Sequence, residues 1–197
     1  MRSSHLGSRK RYVGEKLVTV ASHGFPFSTA VFHPTSNCKS IGNVVKRIPH
    51  TDIALIKLDD GIQYANETFE SVVDGAAALS HLTMLEAAKN TTMGDFCYMN
   101  NPFTGYSEGT IGAVSTMRVP SDDMNVPELP WVRTQWAYMG QGFRQNLEDG
   151  VCGSAIWTQQ GKVIGFFQYA PSSGYFQDWC LTVDAENLIR SGYTLAL

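Results

Sequence analysis

The sequence predicts an all-β fold whose strands are short and close on themselves. Runs rich in Val, Ile, Thr, Tyr and Phe recur at short intervals, the pattern of pleated, half-buried strands. Eighteen glycines and eight prolines among 197 residues punctuate those runs. Four such runs fall within the first sixty residues, a density that suits a barrel better than a layered α/β sheet.

Taken in order, residues 1–12 read as a flexible arm, and Arg9-Lys10-Arg11 as a solvated terminal segment. Leu17 to Ser22 reads as a strand ending at His23-Gly24. Thr29 to Phe32 is a second, stopped by His33-Pro34. Ile41 to Ile48 is a third, punctuated by Pro49-His50. Thr51-Asp52 then leads into the near-continuous apolar strand Ile53 to Leu58. Ala76 to Lys89 is rich in Ala, Leu and Met and reads as a short helix or a connector laid across the surface. Strand character returns at Phe96 to Met99. Gly105 to Gly109 reads as a glycine-punctuated turn feeding a strand from Thr110 to Met117. Residues 119–130, with three prolines and several acids, read as a loop. Trp131 to Met139, Ala155 to Trp157, Val163 to Tyr169 and Trp179 to Val183 supply the later strands, and Gln160-Gly161 suits a hairpin. Asp184 to Arg190 reads as a short terminal helix with Asp184 as its cap.

Composition narrows the function classes. With 43% hydrophobic and 17% charged residues the chain is globular in type. A net charge of −3 gives no general attraction to nucleic acid. No apolar run reaches the roughly 18 residues of a membrane span. Met1 to Gly7 lacks the apolar core of a secretion signal, so the expectation is an intracellular protein if Met1 is the native start. The four cysteines, Cys38, Cys97, Cys152 and Cys180, form no C-x-x-C pair. That argues against zinc and, with no signal segment, for free thiols.

One stretch carries chemistry: Glu148-Asp149-Gly150-Val151-Cys152-Gly153-Ser154, followed by the apolar run Ala155-Ile156-Trp157. Glycines on both sides let a turn expose Cys152 while main-chain N–H groups converge beside it. A thiol next to converging donors is what acyl transfer requires, a nucleophile with an oxyanion site. On this stretch alone a buried free cysteine in a tight turn competes. His23 at a strand end and Asp52 at a strand start supply a base and an acid to orient it. Each has a simpler alternative, a hydrogen-bonded surface histidine and a turn cap. His5, His33, His50 and His81 are the rival bases.

These residues resemble the chymotrypsin-like proteases. Leu17-Val18-Thr19-Val20-Ala21-Ser22-His23 is similar to that family's histidine strand, and Thr51-Asp52-Ile53-Ala54-Leu55-Ile56-Lys57-Leu58 to its aspartate segment. Gly150-Val151-Cys152-Gly153-Ser154 matches its nucleophile motif. Gly94 to Gly112 resembles the opening of the second barrel in bacterial members, and Val163-Ile164-Gly165-Phe166-Phe167 the strand after the nucleophile. Cysteine as nucleophile is the choice of the viral chymotrypsin-like cysteine proteases. The likeness spans most of residues 14–192.

The resemblance implies two six-stranded antiparallel β-barrels with a short C-terminal helix, and the site in the cleft between them. The barrels are expected at residues 13–80 and 94–197, with an inter-barrel connector at 81–93. It implies a cysteine endopeptidase acting on a polypeptide, with a Cys152, His23, Asp52 triad, an oxyanion hole from the N–H groups of Gly150 and Cys152, and no metal or other cofactor. Ser154 is the alternative nucleophile, but the motif places glycine directly after the reactive residue. The pocket floor is expected at Asn146 and its wall at Phe167, Gln168, Tyr169 and Ala170.

The chain departs from the family at several points. Val151 stands where cellular members carry an aspartate. Phe167 stands where glutamine-specific viral enzymes carry a histidine. No cysteine follows His23. The competing function is a catalytically inactive protease fold that binds a peptide or protein in its cleft.

Overall fold

The computed structural model describes residues 15–33, 37–49, 51–63, 81–101, 104–117, 132–141, 150–171 and 173–196. The terminal arm, the 119–130 loop, most of the loop before Gly150, His5 and His50, and the part of the Ala-rich segment before His81 lie outside these residues.

The first unit holds β1 (Leu17–Ala21), β2 (Ala30–His33), β3 (Lys39–Ile48) and β4 (Ile53–Leu58). They form a four-stranded sheet among the described residues, in the order β1-β4-β3-β2, all neighbours antiparallel. One face of β4, Ala54 and Ile56, packs with Val31 and Val44, and the other, Ile53 and Leu55, packs against the second unit, so Ile53-Ala54-Leu55-Ile56 is apolar without alternation and wholly buried.

The second unit is a closed barrel. β6 (Phe96–Asn101), β7 (Gly105–Met117), β8 (Val132–Gln141), β9 (Ala155–Thr158), β10 (Lys162–Tyr169) and β11 (Trp179–Asp184) form a ring in the order β11-β8-β7-β6-β9-β10, which the β10–β11 pairing completes. Its interior is filled by Cys97, Met99, Ile111, Ala137, Met139, Val151, Ile156, Ile164, Phe167 and Cys180. A separate apolar cluster joins the units: Ile48, Ile53 and Leu55 of the first pack with Leu85, Val163, Phe166 and Leu188 of the second. The two units are thus joined along one seam.

Three expectations need correction. The described end of the Ala-rich segment is no helix: β5 (Met84–Leu85) pairs parallel with Lys162–Val163 of β10, and a 3-10 turn follows at Ala88–Asn90. Strand pairing and burial of Leu85 override the local helix preference of Ala, Leu and Met. Gly105 to Gly109 is not a turn but the start of the 13-residue β7. Gly109 is there for proximity, since a Cβ would meet the Tyr138 carbonyl oxygen at 1.6 Å. The terminal helix α1 spans Glu186–Arg190 only, and Asp184 ends β11 instead of occupying the position next to the helix. Its carboxylate still accepts the Glu186 N–H at 2.8 Å, so it caps from one residue farther back.

Candidate active site

β1 ends in a 3-10 turn, Ser22–Gly24, that presents His23. The β3–β4 hairpin turn presents Asp52 opposite it, and three hydrogen bonds tie the two turns. Ser22 N–H donates to the Asp52 carbonyl oxygen at 2.8 Å. His23 N–H donates to Asp52 Oδ1 at 2.7 Å, and His23 Nδ1 lies 2.6 Å from Oδ2. Asp52 has a φ of 52°, the left-handed region that a short polar side chain tolerates. Thr51 braces that turn by donating from Oγ1 to the Ile48 carbonyl oxygen at 2.7 Å. The carboxylate side chain is 9% exposed and the imidazole 50%. A carboxylate at Nδ1 places the ring proton there and leaves Nε2 an acceptor facing the open side.

Arg47, which the sequence did not single out, fastens the histidine turn from below. Its guanidinium donates to the carbonyl oxygens of Ser22 and Phe25, the residues bracketing His23–Gly24, and to the Ser22 hydroxyl. No local motif marks it. β3 carries the side chain there through its pairing with β4, and register is a tertiary property.

The cysteine turn is built on the second barrel. Gly150 and Gly153 have φ of 97° and 86°, so the chain reverses on either side of Cys152 as only glycine permits cheaply. Ser154 N–H closes the turn on the Val151 carbonyl oxygen at 3.0 Å. Two further main-chain bonds, Gly153 N–H to Phe167 O at 2.8 Å and Phe167 N–H to Ser154 O at 2.9 Å, rivet it to β10. Val151 is 2% exposed inside the barrel core. The turn is anchored there by apolar packing. Cys152 is half-buried, and its thiol donates to the Gln168 carbonyl oxygen at 3.4 Å.

Gly153 also joins the two halves. A Cβ on it would lie 2.8 Å from the Ala21 nitrogen, two residues before His23. The structure therefore brings His23 and Asp52 into direct contact and seats the cysteine turn on the strand that leads to His23. His33 and His81 lie away from this contact, on β2 and before β5.

The residues expected to line the pocket separate. Phe167 turns its ring into the barrel core at 4% exposure, so it is the main chain at 167 that meets the cysteine turn. Gln168 sits where the β10–β11 register shifts between Phe167 and Tyr169. Its side-chain Oε1 is buried with no partner. Tyr169 is 53% exposed, and Ala170 packs against the core cluster beside Cys152. Asn146 lies outside the described residues, as do Glu148 and Asp149.

None of the four cysteines is in a disulfide. Burial pushes the Cys97 thiol up to about 12 and raises the Cys180 thiol as well. Among the described residues no three His, Cys, Asp or Glu side chains are grouped to hold a metal, and no helix is long and apolar enough to cross a membrane.

Comparison with protein-family models and with curated proteins gives no match. Solved structures do match. A glutamic acid-specific serine protease described as using a histidine triad in substrate binding superposes with a TM-score of 0.64 at 18% identity, over 93% of this chain and 88% of that one. The active form of a protease from M. tuberculosis gives 0.59 at 15% identity, over 88% and 66% of the two chains. A chymotrypsin from Cellulomonas bogoriensis gives 0.54 at 15% identity, over 91% and 84%. The closed barrel, the second sheet packed against it and these superpositions together give this chain the chymotrypsin-like fold.

Proposed function

We propose that the protein is a cysteine endopeptidase in which Cys152, His23 and Asp52 act as the triad. The observation that carries this reading is the doubly hydrogen-bonded His23–Asp52 pair two residues from Ala21, on which the glycine turn with the half-buried Cys152 thiol packs. A half-exposed imidazole held by a carboxylate through both its ring and its own main chain costs rotamer freedom that a solvated surface histidine keeps. Such pre-organisation suits a base.

In this mechanism His23 Nε2 takes the Cys152 proton as Sγ adds to the scissile carbonyl carbon. The new oxyanion accepts from the N–H groups of Gly150 and Cys152. The imidazolium then gives its proton to the departing amine, leaving a thioester on Cys152. Water, deprotonated by the same Nε2, attacks the thioester and releases the acid and the thiol. Asp52 keeps the ring proton on Nδ1 and stabilises the imidazolium.

The substrate is a polypeptide cleaved after an uncharged residue. Asn146, at the expected pocket floor, has no charge to compensate a buried Lys or Arg. Tyr169 and Ala170 offer an aromatic and a small surface alongside. The site needs no metal or other cofactor.

A cysteine-directed peptide probe tests the reading. Labelling at Cys152 that is lost in His23→Ala supports catalysis. Tight peptide binding with no labelling in either form supports the competing role, a protease fold kept as an inactive binding module.

A further inference from the structure

On the seam between the units lies a cavity of ≈ 200 Å³. Its walls include Leu17, Leu55, Leu85, Val163, Phe166 and Leu188, drawn from both units and from α1. The same strands lead to the candidate active site: the lining reaches Thr19, two residues before Ala21, and Ala155, three after Cys152. The cavity is therefore a neighbour of the cysteine turn, but Cys152, His23 and Asp52 do not line it.

The tail closes one side. Tyr193 and Leu195 pack against the inter-barrel cluster and line the cavity. The Tyr193 ring is held by the Lys46 ammonium, 5.0 Å from its centroid. Lys16 and Glu15 also line the space. The Glu15 carboxylate is bound by Lys57 at 2.8 Å. Among the described residues, the charged side chains lining the cavity are Glu15 and Lys16, and with Glu15 paired to Lys57 the lining is left with Lys16. An apolar hole of about 150 Å³ takes a benzene ring and stays free of water. This one is larger and has the Lys16 cation at its edge.

We propose that the inter-barrel cavity is a binding site for a small amphipathic carboxylate: an aromatic ring or short acyl chain inside, and its anionic head at Lys16. The apolar walls fit the body and Lys16 fits the head. No residue of the candidate triad takes part.

Isothermal titration calorimetry with 3-phenylpropionate, and with 3-phenylpropanol as its uncharged counterpart, tests this directly. Expected is saturable binding of the acid, about tenfold tighter than the alcohol. Lys16→Gln, an exposed position, should remove that preference and leave alcohol binding unchanged. Leu82→Trp, placed to fill the cavity, should abolish binding of both; if it does not fold, Lys16→Gln alone decides. Absence of saturable binding, equal affinity for acid and alcohol, or an unchanged preference in Lys16→Gln would each overturn the proposal. None of these readings depends on peptidase activity.

Discussion

Arg47 grips Ser22 twice, through the main-chain oxygen at 2.9 Å and through the hydroxyl. Ser22 is 5% exposed and its own N–H is spent on Asp52. The position of His23 therefore depends on a cation one sheet register away. Arg47→Met keeps the length of the side chain and removes the fork. It should cost about 1.5–3 kcal/mol of stability, the range for hydrogen bonds to a charged group, measured by urea denaturation. Peptidase turnover should fall further than stability predicts, and Arg47→Lys should not restore it, because a single ammonium cannot serve Ser22 and Phe25 together.

Asp52→Asn should preserve the fold, since asparagine tolerates the left-handed backbone and can still accept the His23 N–H. Its amide presents a donor to Nδ1 and favours the wrong tautomer. The expected loss in turnover is about 10²–10⁴-fold, and smaller than that of His23→Ala, because a thiol ionises more readily than a serine hydroxyl. Steady-state kinetics on one peptide decide it. Unchanged turnover in Asp52→Asn would remove Asp52 from the chemistry.

Iodoacetamide should distinguish the four thiols. Only the thiolate reacts, and Cys97 and Cys180 are 0% exposed with their thiols pushed up by burial, Cys97 to about 12. Both should resist alkylation at pH 7–9 and react once the chain is unfolded in urea. Cys38 and Cys152 should react in the native protein. Mass spectrometry of the labelled peptides gives the count, and native labelling of Cys97 or Cys180 would contradict the closed barrel.

Glu86 ties the β5 segment to the barrel. Its carboxyl is held below the ordinary 4.5, first by the hydrogen bond from Lys162 and next by that from Asn90. A carboxylate held down in the folded state contributes stability that is full above about 4.5 and is lost as pH falls through its lower folded value. Lys162 is 38% exposed, so the contribution is at most about 1 kcal/mol. Glu86→Gln should lower stability at pH 7 by that amount and leave it unchanged near pH 2. Equal differences at both pH values would show that the ion pair is not the cause.

Trimming residues 1–10 should leave turnover unchanged. Val151 stands where an acid would pair with a freed N-terminus, and it is already packed at 2% exposure in the barrel core. A large gain in turnover on trimming would show an activation step that this packing does not explain.

The strands of this fold were legible because β-branched runs between glycines and prolines have few other uses. The His23–Asp52 pair and the cysteine turn were legible for a related reason: each sits where a strand begins or ends. Met84–Leu85 was not, because a two-residue strand takes its identity from Lys162–Val163, 78 residues away in the pairing. Gly105–Gly109 misled because a glycine that admits a neighbouring strand reads like one that turns the chain. The inward ring of Phe167 was hidden by alternation: which face a strand residue takes depends on register, and the bulge at Gln168 resets it. Arg47 left no local trace at all.

The close packing of Gly153 on Ala21 sets an order of replaceability within three consecutive residues. Position 152 is half-buried, and an oxygen, smaller than sulfur, can take its place without disturbing the chain. Position 151 accepts whatever fills the barrel. Position 153 accepts nothing larger than hydrogen, because its neighbour is main chain, which has no rotamer to yield. In a randomised library, the folded survivors should therefore vary freely at the reacting atom and be invariant at the silent residue beside it.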